Sequence, residues 1–358
     1  MEEKKRLKDI IEEKKSLPGG CSLMTLTSSG GNPYWFRTCD ISFDLRQEGA
    51  GVIRIQKEEE LIGQYKKTWK SNYRIQGITY GRNKTWLLDG INEEGLCGGL
   101  LMLSEGRGKK EIEGKENEVM AMEAVAYFLS KCKNVEEVIL LAEKIEITNI
   151  HYGKEILPAT VHYHFLDSKG REVVLEPTRE GEAGKLCIYS DKETLGIMTN
   201  SPIYPCQKQN LSWFLSGSPE MKMGDREEKV FLRLDGKEIT EKKDAYHISL
   251  DYSFPGGFAS YDRFIRLAVL KAVNNSGNNW KDTEILSRGI SIMNTVREPE
   301  DQGVLHYSYL KKMQRGKIKV VGREKSKTYY LVIYDLKAKK CYLQWFDEME
   351  WTCYTLYN

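Results

Sequence analysis

A cysteine stands at position 21 directly behind two glycines, in Ser16-Leu17-Pro18-Gly19-Gly20-Cys21-Ser22. A thiolate is a strong nucleophile, and a cysteine at a chain terminus brings its own base. Cutting the Gly20–Cys21 bond frees an α-amine with a pKa of about 7.7–8.0, a usable proton acceptor near neutral pH. Nucleophile and base then belong to one residue. Glycine at position 20 leaves no Cβ to hinder a carbonyl that tilts toward the sulfur. The same dipeptide also serves as a plain linker, and a cysteine on a strand is commonly a small buried hydrophobe. The motif by itself leaves both readings open.

Arg37 and Asp40, in Trp35-Phe36-Arg37-Thr38-Cys39-Asp40, are the charged residues that a hairpin beginning at Cys21 brings nearest to it. Pairing about Gly31 sets Cys21 opposite roughly residue 41, beside Asp40, with Arg37 a little further along. A cation there favours the thiolate. Strict alternation puts Arg37 and Asp40 on opposite faces, so both reach Cys21 only if a bulge or a strand end falls near Thr38-Cys39. An ordinary ion pair between the two is the plainer alternative.

These residues need a sheet to hold them, and the sequence supplies one. Residues 21–42 alternate as two strands around Ser28-Ser29-Gly30-Gly31-Asn32-Pro33. TWLLDGINEEGLCGGLLML (85–103) reads as two apolar strands around a turn. HYHFLDSKGREVVLEP (162–177) repeats the pattern around DSKG, LGIMTNSP adds a strand ending in a loop, and TYYLVIYDLKAKKCYLQWFD closes with a hairpin. Helical periodicity covers 116–145 and 260–296. Strands, a helical pair, more strands, a second helical pair and a last hairpin predict an α+β domain with helices outside an antiparallel sheet core. No repeat or interdomain linker interrupts it.

Residues 1–20 are different in texture, with six basic and five acidic residues and Leu7, Ile10 and Ile11 at helical spacing. They read as a short amphipathic helix stopped by Pro18, either a frayed terminus or a leader.

The bulk properties narrow the function. A net charge of +2 on 358 residues gives no reason to expect nucleic acid or an anionic membrane as partner. Eight cysteines, none in C-x-x-C spacing, argue against a zinc site and a disulfide framework. With no apolar run long enough for a membrane span and no secretory signal, the expectation is a cytoplasmic protein. Among weaker signals, His162 and His164 alternate on a strand without Cys or acidic ligands nearby, and read as surface or core polar residues rather than a metal site. EGRGKKEIEGKE (105–116) lacks P-loop spacing and reads as a solvated loop, with a lid role open. The Asn-x-Ser sites at 210 and 274 carry no meaning in a cytoplasmic chain.

Cys21 with its strand, then WFRTCD, LLDGINEEGLCGG, VVLEP, GIMTNSP and FPGGFASYDRFIR, in that order to about residue 275, resembles the choloylglycine hydrolase family of N-terminal-nucleophile hydrolases. That family holds the penicillin V acylases and bile salt hydrolases, and the blocks look nearer to the former. The resemblance implies a four-layer αββα sandwich over residues 21–358 with residues 1–20 as a propeptide. It implies hydrolysis of a non-peptide amide through an acyl-enzyme, without metal or cofactor. Carried over residue by residue, Cys21 matches the nucleophile, Arg37 and Asp40 the pair that orders it and its amine, Asn200 an oxyanion-hole amide and Arg263 the arginine of the cluster. Asn200 sits in Thr-Asn-Ser-Pro, which is also an unremarkable strand-to-turn sequence.

Three departures stand out. Met102 falls where family members carry asparagine or tyrosine; its N–H still serves as an oxyanion donor, but a polar handle becomes a pliable apolar surface. The leader is long for the family, with Leu7, Ile10 and Ile11 available to cover an apolar pocket. Residues 207–260 lack the usual glycine-rich stretch, so a homo-oligomer is left open. The implied substrate is a small N-acyl amide with an apolar acyl group, and conjugated bile acids rank lower. Acyl transfer to an amine, a binding protein trimmed by a separate double-glycine protease, and a dormant precursor are the alternatives.

Overall fold

The structure, a computed structural model, describes residues 20–41, 44–63, 65, 67–81, 83–148, 150–152, 155–157, 161–216, 233–234, 237–238, 255–275, 280–299 and 327–357. The expected helix with Leu7, Ile10 and Ile11, and most of DAYHISLDYSFPGGF, lie outside these residues.

In chain order the main strands are β1 (Ser22–Thr27), β2 (Pro33–Ile41), β3 (Val52–Ile55), β4 (Ile75–Thr79), β5 (Leu87–Asn92), β6 (Cys97–Met102), β7 (Val161–Leu166), β8 (Glu172–Glu176), β9 (Cys187–Ser190), β10 (Ile197–Met198), β11 (Lys327–Asp335), β12 (Lys340–Trp345) and β13 (Thr352–Thr355). They form two antiparallel sheets. One runs β10-β1-β2-β11-β12-β13 and the other β9-β8-β7-β6-β5-β4-β3. In the first, β2 and β11 pair from end to end although nearly 300 residues separate them, so the first hairpin of the domain rests on the last. PYWFRTCD and TYYLVIYD are rich in β-branched and aromatic residues, and β2 is buried on both faces along almost its whole length, as a strand between two packed layers must be.

The helices are α1 (Ala124–Lys131), α2 (Val135–Ala142), α3 (Tyr204–Ser216), α4 (Ser260–Asn275) and α5 (Asp282–Asn294). Helices α1 and α2 pack on the second sheet through β5 to β8, and α4 and α5 on the first through β1, β2 and β10. The sheets meet face to face. Trp35 on β2 donates its ring N–H to His164 Nδ1 on β7 at 3.2 Å, and its ring lies 2.8 Å from where a Cβ on Gly99 of β6 would stand. Only glycine admits that approach.

The sequence expectation of an α+β domain with antiparallel sheets is met, with two local differences. Residues 116–123 are not helical: Glu118–Met120 is a strand beside Glu146–Thr148, followed by one 3-10 turn at Ala121–Glu123. The cause is Glu118, whose buried carboxylate gathers the N–H groups of Glu113, Gly114 and Lys115 and the Lys109 ammonium. Those bonds hold the chain extended where its apolar periodicity reads as helix. The second difference is in the first hairpin, where Ser22 pairs with Thr38 and Thr27 with Pro33. The turn is therefore centred on Gly30, and Cys21 falls opposite Cys39 rather than residue 41.

Candidate active site

The register places Cys21, Arg37 and Cys39 on one face of the β1–β2 pair. Arg37 Nη2 lies 3.7 Å from the sulfur of Cys21 and 3.7 Å from that of Cys39. All three side chains are buried. Arg37 is anchored from the opposite sheet. Its Nη1 pairs with Asp89 on β5 and donates to Tyr330 Oη at 2.9 Å, while Tyr330 and Tyr334 each donate to Asp89 at 2.6 Å. A buried guanidinium needs such a partner, and this one fixes the direction in which it presents its remaining N–H groups.

The electrostatics follow. The Cys39 thiol donates to Cys21, and together with the Arg37 charge this outweighs burial and brings the Cys21 thiol down to about 5. Cys39 moves the other way, because its proton is held by Cys21 and its site is dry. One thiolate and one thiol share a single cation.

Asp40 lies on the other face. Its carboxylate accepts from Thr38 Oγ1 at 3.2 Å and from Thr328 Oγ1, and Thr38 Oγ1 in turn accepts the Ser22 N–H at 3.2 Å. The bulge expected near Thr38-Cys39 is absent from the β1–β2 pairing, so Asp40 does not turn to the face of Cys21; the irregularity falls on the neighbouring strand instead. Pairing slips between Thr328 and Tyr330 of β11, opposite Asp40 and Cys39. Asp40 touches Cys21 only through its main-chain carbonyl, 3.9 Å from the sulfur. Burial, then the negative charge of Glu298, raises the Asp40 carboxyl well above the ordinary range.

Arg263, in the first turn of α4, ties the remaining residues together. Nη1 donates to the carbonyl of Gly20, to that of Cys21 at 2.7 Å and to Ser22 Oγ at 2.6 Å. Nη2 donates to Asn200 Oδ1 at 2.9 Å, and Asn200 Nδ2 donates to the Met102 carbonyl at 3.0 Å. Gln207 on α3 holds the Asn200 carbonyl at 3.1 Å. One of the two amide N–H groups of Asn200 is thus engaged by Met102. All seven sequence candidates, Gly20, Cys21, Arg37, Asp40, Met102, Asn200 and Arg263, belong to one connected cluster. Residues that sequence reasoning left unassigned join them: Cys39, Thr38, Asp89, Glu298, Thr328 and Tyr330.

His162 and His164 are core residues. His162 pairs with Glu176 at 3.0 Å and His164 with Glu172 at 3.4 Å, both inside the second sheet. Among the described residues no group of three His, Cys, Asp or Glu is placed to hold a metal, and no helix is long and apolar enough to cross a membrane.

The family profile for linear amide C–N hydrolases of the choloylglycine hydrolase family matches residues 21–358. The chain belongs to the choloylglycine hydrolase family. Its members break linear amide C–N bonds, and this protein is a hydrolase of that class. It is 27% identical over 284 residues to a bile salt hydrolase/transferase of Clostridium perfringens, covering 77% of this chain and 78% of the relative. It is 24% identical over 280 residues to a bile salt hydrolase/transferase of Lactiplantibacillus plantarum, covering 78% and 79%. Among solved structures, a conjugated bile acid hydrolase from Clostridium perfringens superposes with a TM-score of 0.69 at 22% identity, covering 94% of this chain and 92% of that one. The penicillin V acylase from Agrobacterium tumefaciens gives 0.66 at 18%, covering 94% and 86%. At these identities the superpositions speak for the fold.

Proposed function

We propose that this choloylglycine hydrolase family member is an amide hydrolase that removes its own first twenty residues and works through Cys21 as an N-terminal nucleophile. The observation that carries the reading is the Cys21 sulfur, ionised near pH 5 and set 3.7 Å from a buried, anchored guanidinium. The family match that begins at Cys21 supports it. In this scheme the Cys21 thiolate attacks the substrate carbonyl, Asn200 and the Met102 N–H hold the oxyanion, and the freed α-amine of Cys21 protonates the leaving amine and later activates water. Arg37 maintains the thiolate, and Asp40, through Thr38, fixes the start of β1. Residues 21–358 are a single αββα domain on this reading, with helices outside each sheet.

The substrate on this reading is a small N-acyl amide with an apolar acyl group, because Met102 offers a polarizable thioether where a polar handle is usual. The test is intact mass and N-terminal sequencing of wild type and Cys21→Ala, followed by a screen of N-acyl amino acids, penicillin V and conjugated bile acids. Wild type is expected to begin at Cys21 and to hydrolyse at least one class, and Cys21→Ala to keep its leader and do neither. A Cys21→Ala chain that still loses residues 1–20 when made alone overturns self-processing. The curated relatives carry the name hydrolase/transferase, which favours acyl transfer as a second reading. Product analysis with and without added amino acids separates the two.

A further inference from the structure

Gly20 is buried between two charged groups. On one side Arg263 Nη1 donates to the Gly20 carbonyl oxygen, the atom that gains negative charge when a nucleophile adds to that carbonyl. On the other side the Glu298 carboxylate occupies the place where a side chain at position 20 would begin. A Cβ there would overlap Glu298 Oε1 and lie 3.4 Å from Arg263 Cζ. Glu298 is itself only 3% exposed. It is fixed by Thr328, which accepts its N–H at 2.8 Å, donates its own N–H to the Glu298 carbonyl at 3.1 Å, and donates its hydroxyl to Asp40. Thr328 thus joins the Glu298 main chain to the Asp40 carboxylate, and the Glu298 side chain lies against Gly20. Burial and then the negative charge of Glu298 raise the Asp40 carboxyl well above its ordinary range, so this side of Cys21 favours a held proton.

We propose that Glu298 is a catalytic residue of the leader-removal step, the acid and then the base at the Gly20–Cys21 bond, and that position 20 is glycine because this carboxyl group must reach it. The inference rests on the self-processing reading above and extends it to a residue outside the carried-over set. Cys21 Sγ adds to the Gly20 carbonyl carbon, and the C=O electron pair moves onto oxygen, where Arg263 holds it. The intermediate collapses as the C–N bond breaks. The nitrogen takes a proton from the Glu298 carboxyl group and becomes the free α-amine of Cys21, leaving Gly20 as a thioester on sulfur. Water then adds to the thioester carbon, giving one proton to the Glu298 carboxylate. The C–S bond breaks, so that Gly20 leaves as a carboxylic acid whose proton passes to the new α-amine, and the thiolate is restored. No oxidant or cofactor enters.

Cell-free synthesis of the full chain, in which the age of every molecule is known, followed by intact mass tests this. Glu298→Gln is expected to slow loss of residues 1–20 about a hundredfold, the scale of a lost acid–base group, and Glu298→Asp to recover part of the rate. Gly20→Ala is expected to slow processing strongly in the wild-type background but to make no further difference in a Glu298→Ala background, where the space is open. Wild-type processing in Glu298→Gln overturns the proposal, as does a Gly20→Ala penalty of equal size in both backgrounds. If Glu298→Gln melts early, Gly20→Ala decides instead, and wild-type processing there overturns it. A wild-type chain that keeps its leader instead overturns the self-processing reading and this one with it.

Discussion

In the proposed mechanism Cys21 owes its reactivity to two neighbours on its own face of the hairpin, one a cation and the other a thiol. Arg37 lowers the energy of the thiolate through charge, and Cys39 does so by donating its proton. Removing the donor raises the pKa of the nucleophile. Cys39→Ala should therefore shift the pH profile of Cys21 alkylation upward from its midpoint of about 5 and slow labelling under mildly acid conditions; an unmoved profile excludes this role for Cys39. In the proposed mechanism Asn200 acts on the other side of the reaction, where loss of an oxyanion donor costs about a hundredfold or more in turnover. Asn200→Ala should show that loss in steady-state rates, and near wild-type turnover removes Asn200 from the site. The place of Cys39 was legible from period two alone, since it stands two residues beyond Arg37 on one strand. It reads as one of eight scattered cysteines until that strand is paired. Glu298 and Thr328 were not legible, because nothing in their local sequence announces a meeting with residues 20 and 40.

The elements that carry these residues were mostly legible, and for a physical reason. Alternating aromatic and β-branched runs such as YWFRTCDI fit a pleated surface and little else. The failures lie where tertiary contacts override local pattern. Glu118 pulls residues 118–120 out of helix, and the slip in β11 opposite Asp40 depends on pairing across the whole chain length. Contact between the two sheets is tight enough to test at one atom. Gly99→Ala places a methyl group 2.8 Å from the Trp35 ring and should lower stability by about 1–3 kcal/mol, seen as a drop in Tm. A buried network ties α4 to both sheets: Lys271 donates to Thr25 at 3.1 Å and to the Leu195 carbonyl at 3.0 Å, and Thr25 donates to Glu172 at 3.2 Å. Its charge, with the His164 hydrogen bond, holds the Glu172 carboxyl below its ordinary range despite burial. Lys271→Met leaves that carboxylate short of a cation and should cost about 3 kcal/mol. Because α4 also carries Arg263, denaturant melts and turnover should fall together; an unchanged melt contradicts the network's role.

At the scale of the whole molecule, a nearly neutral chain with two opposed sheets buries the candidate cluster around the Gly20–Cys21 bond. Gly20 and Cys21 are still joined in this structure, and Arg263 reaches across them to Asn200. On the self-processing reading this is the arrangement before cleavage, and catalysis on an outside amide awaits the free terminus of Cys21. The most direct measurement follows leader loss by intact mass and amide hydrolysis by product formation in the same samples over time. Hydrolysis should rise in proportion to chains that begin at Cys21 and be absent from those that retain residues 1–20. Full turnover by molecules whose mass still includes the first twenty residues would contradict the account.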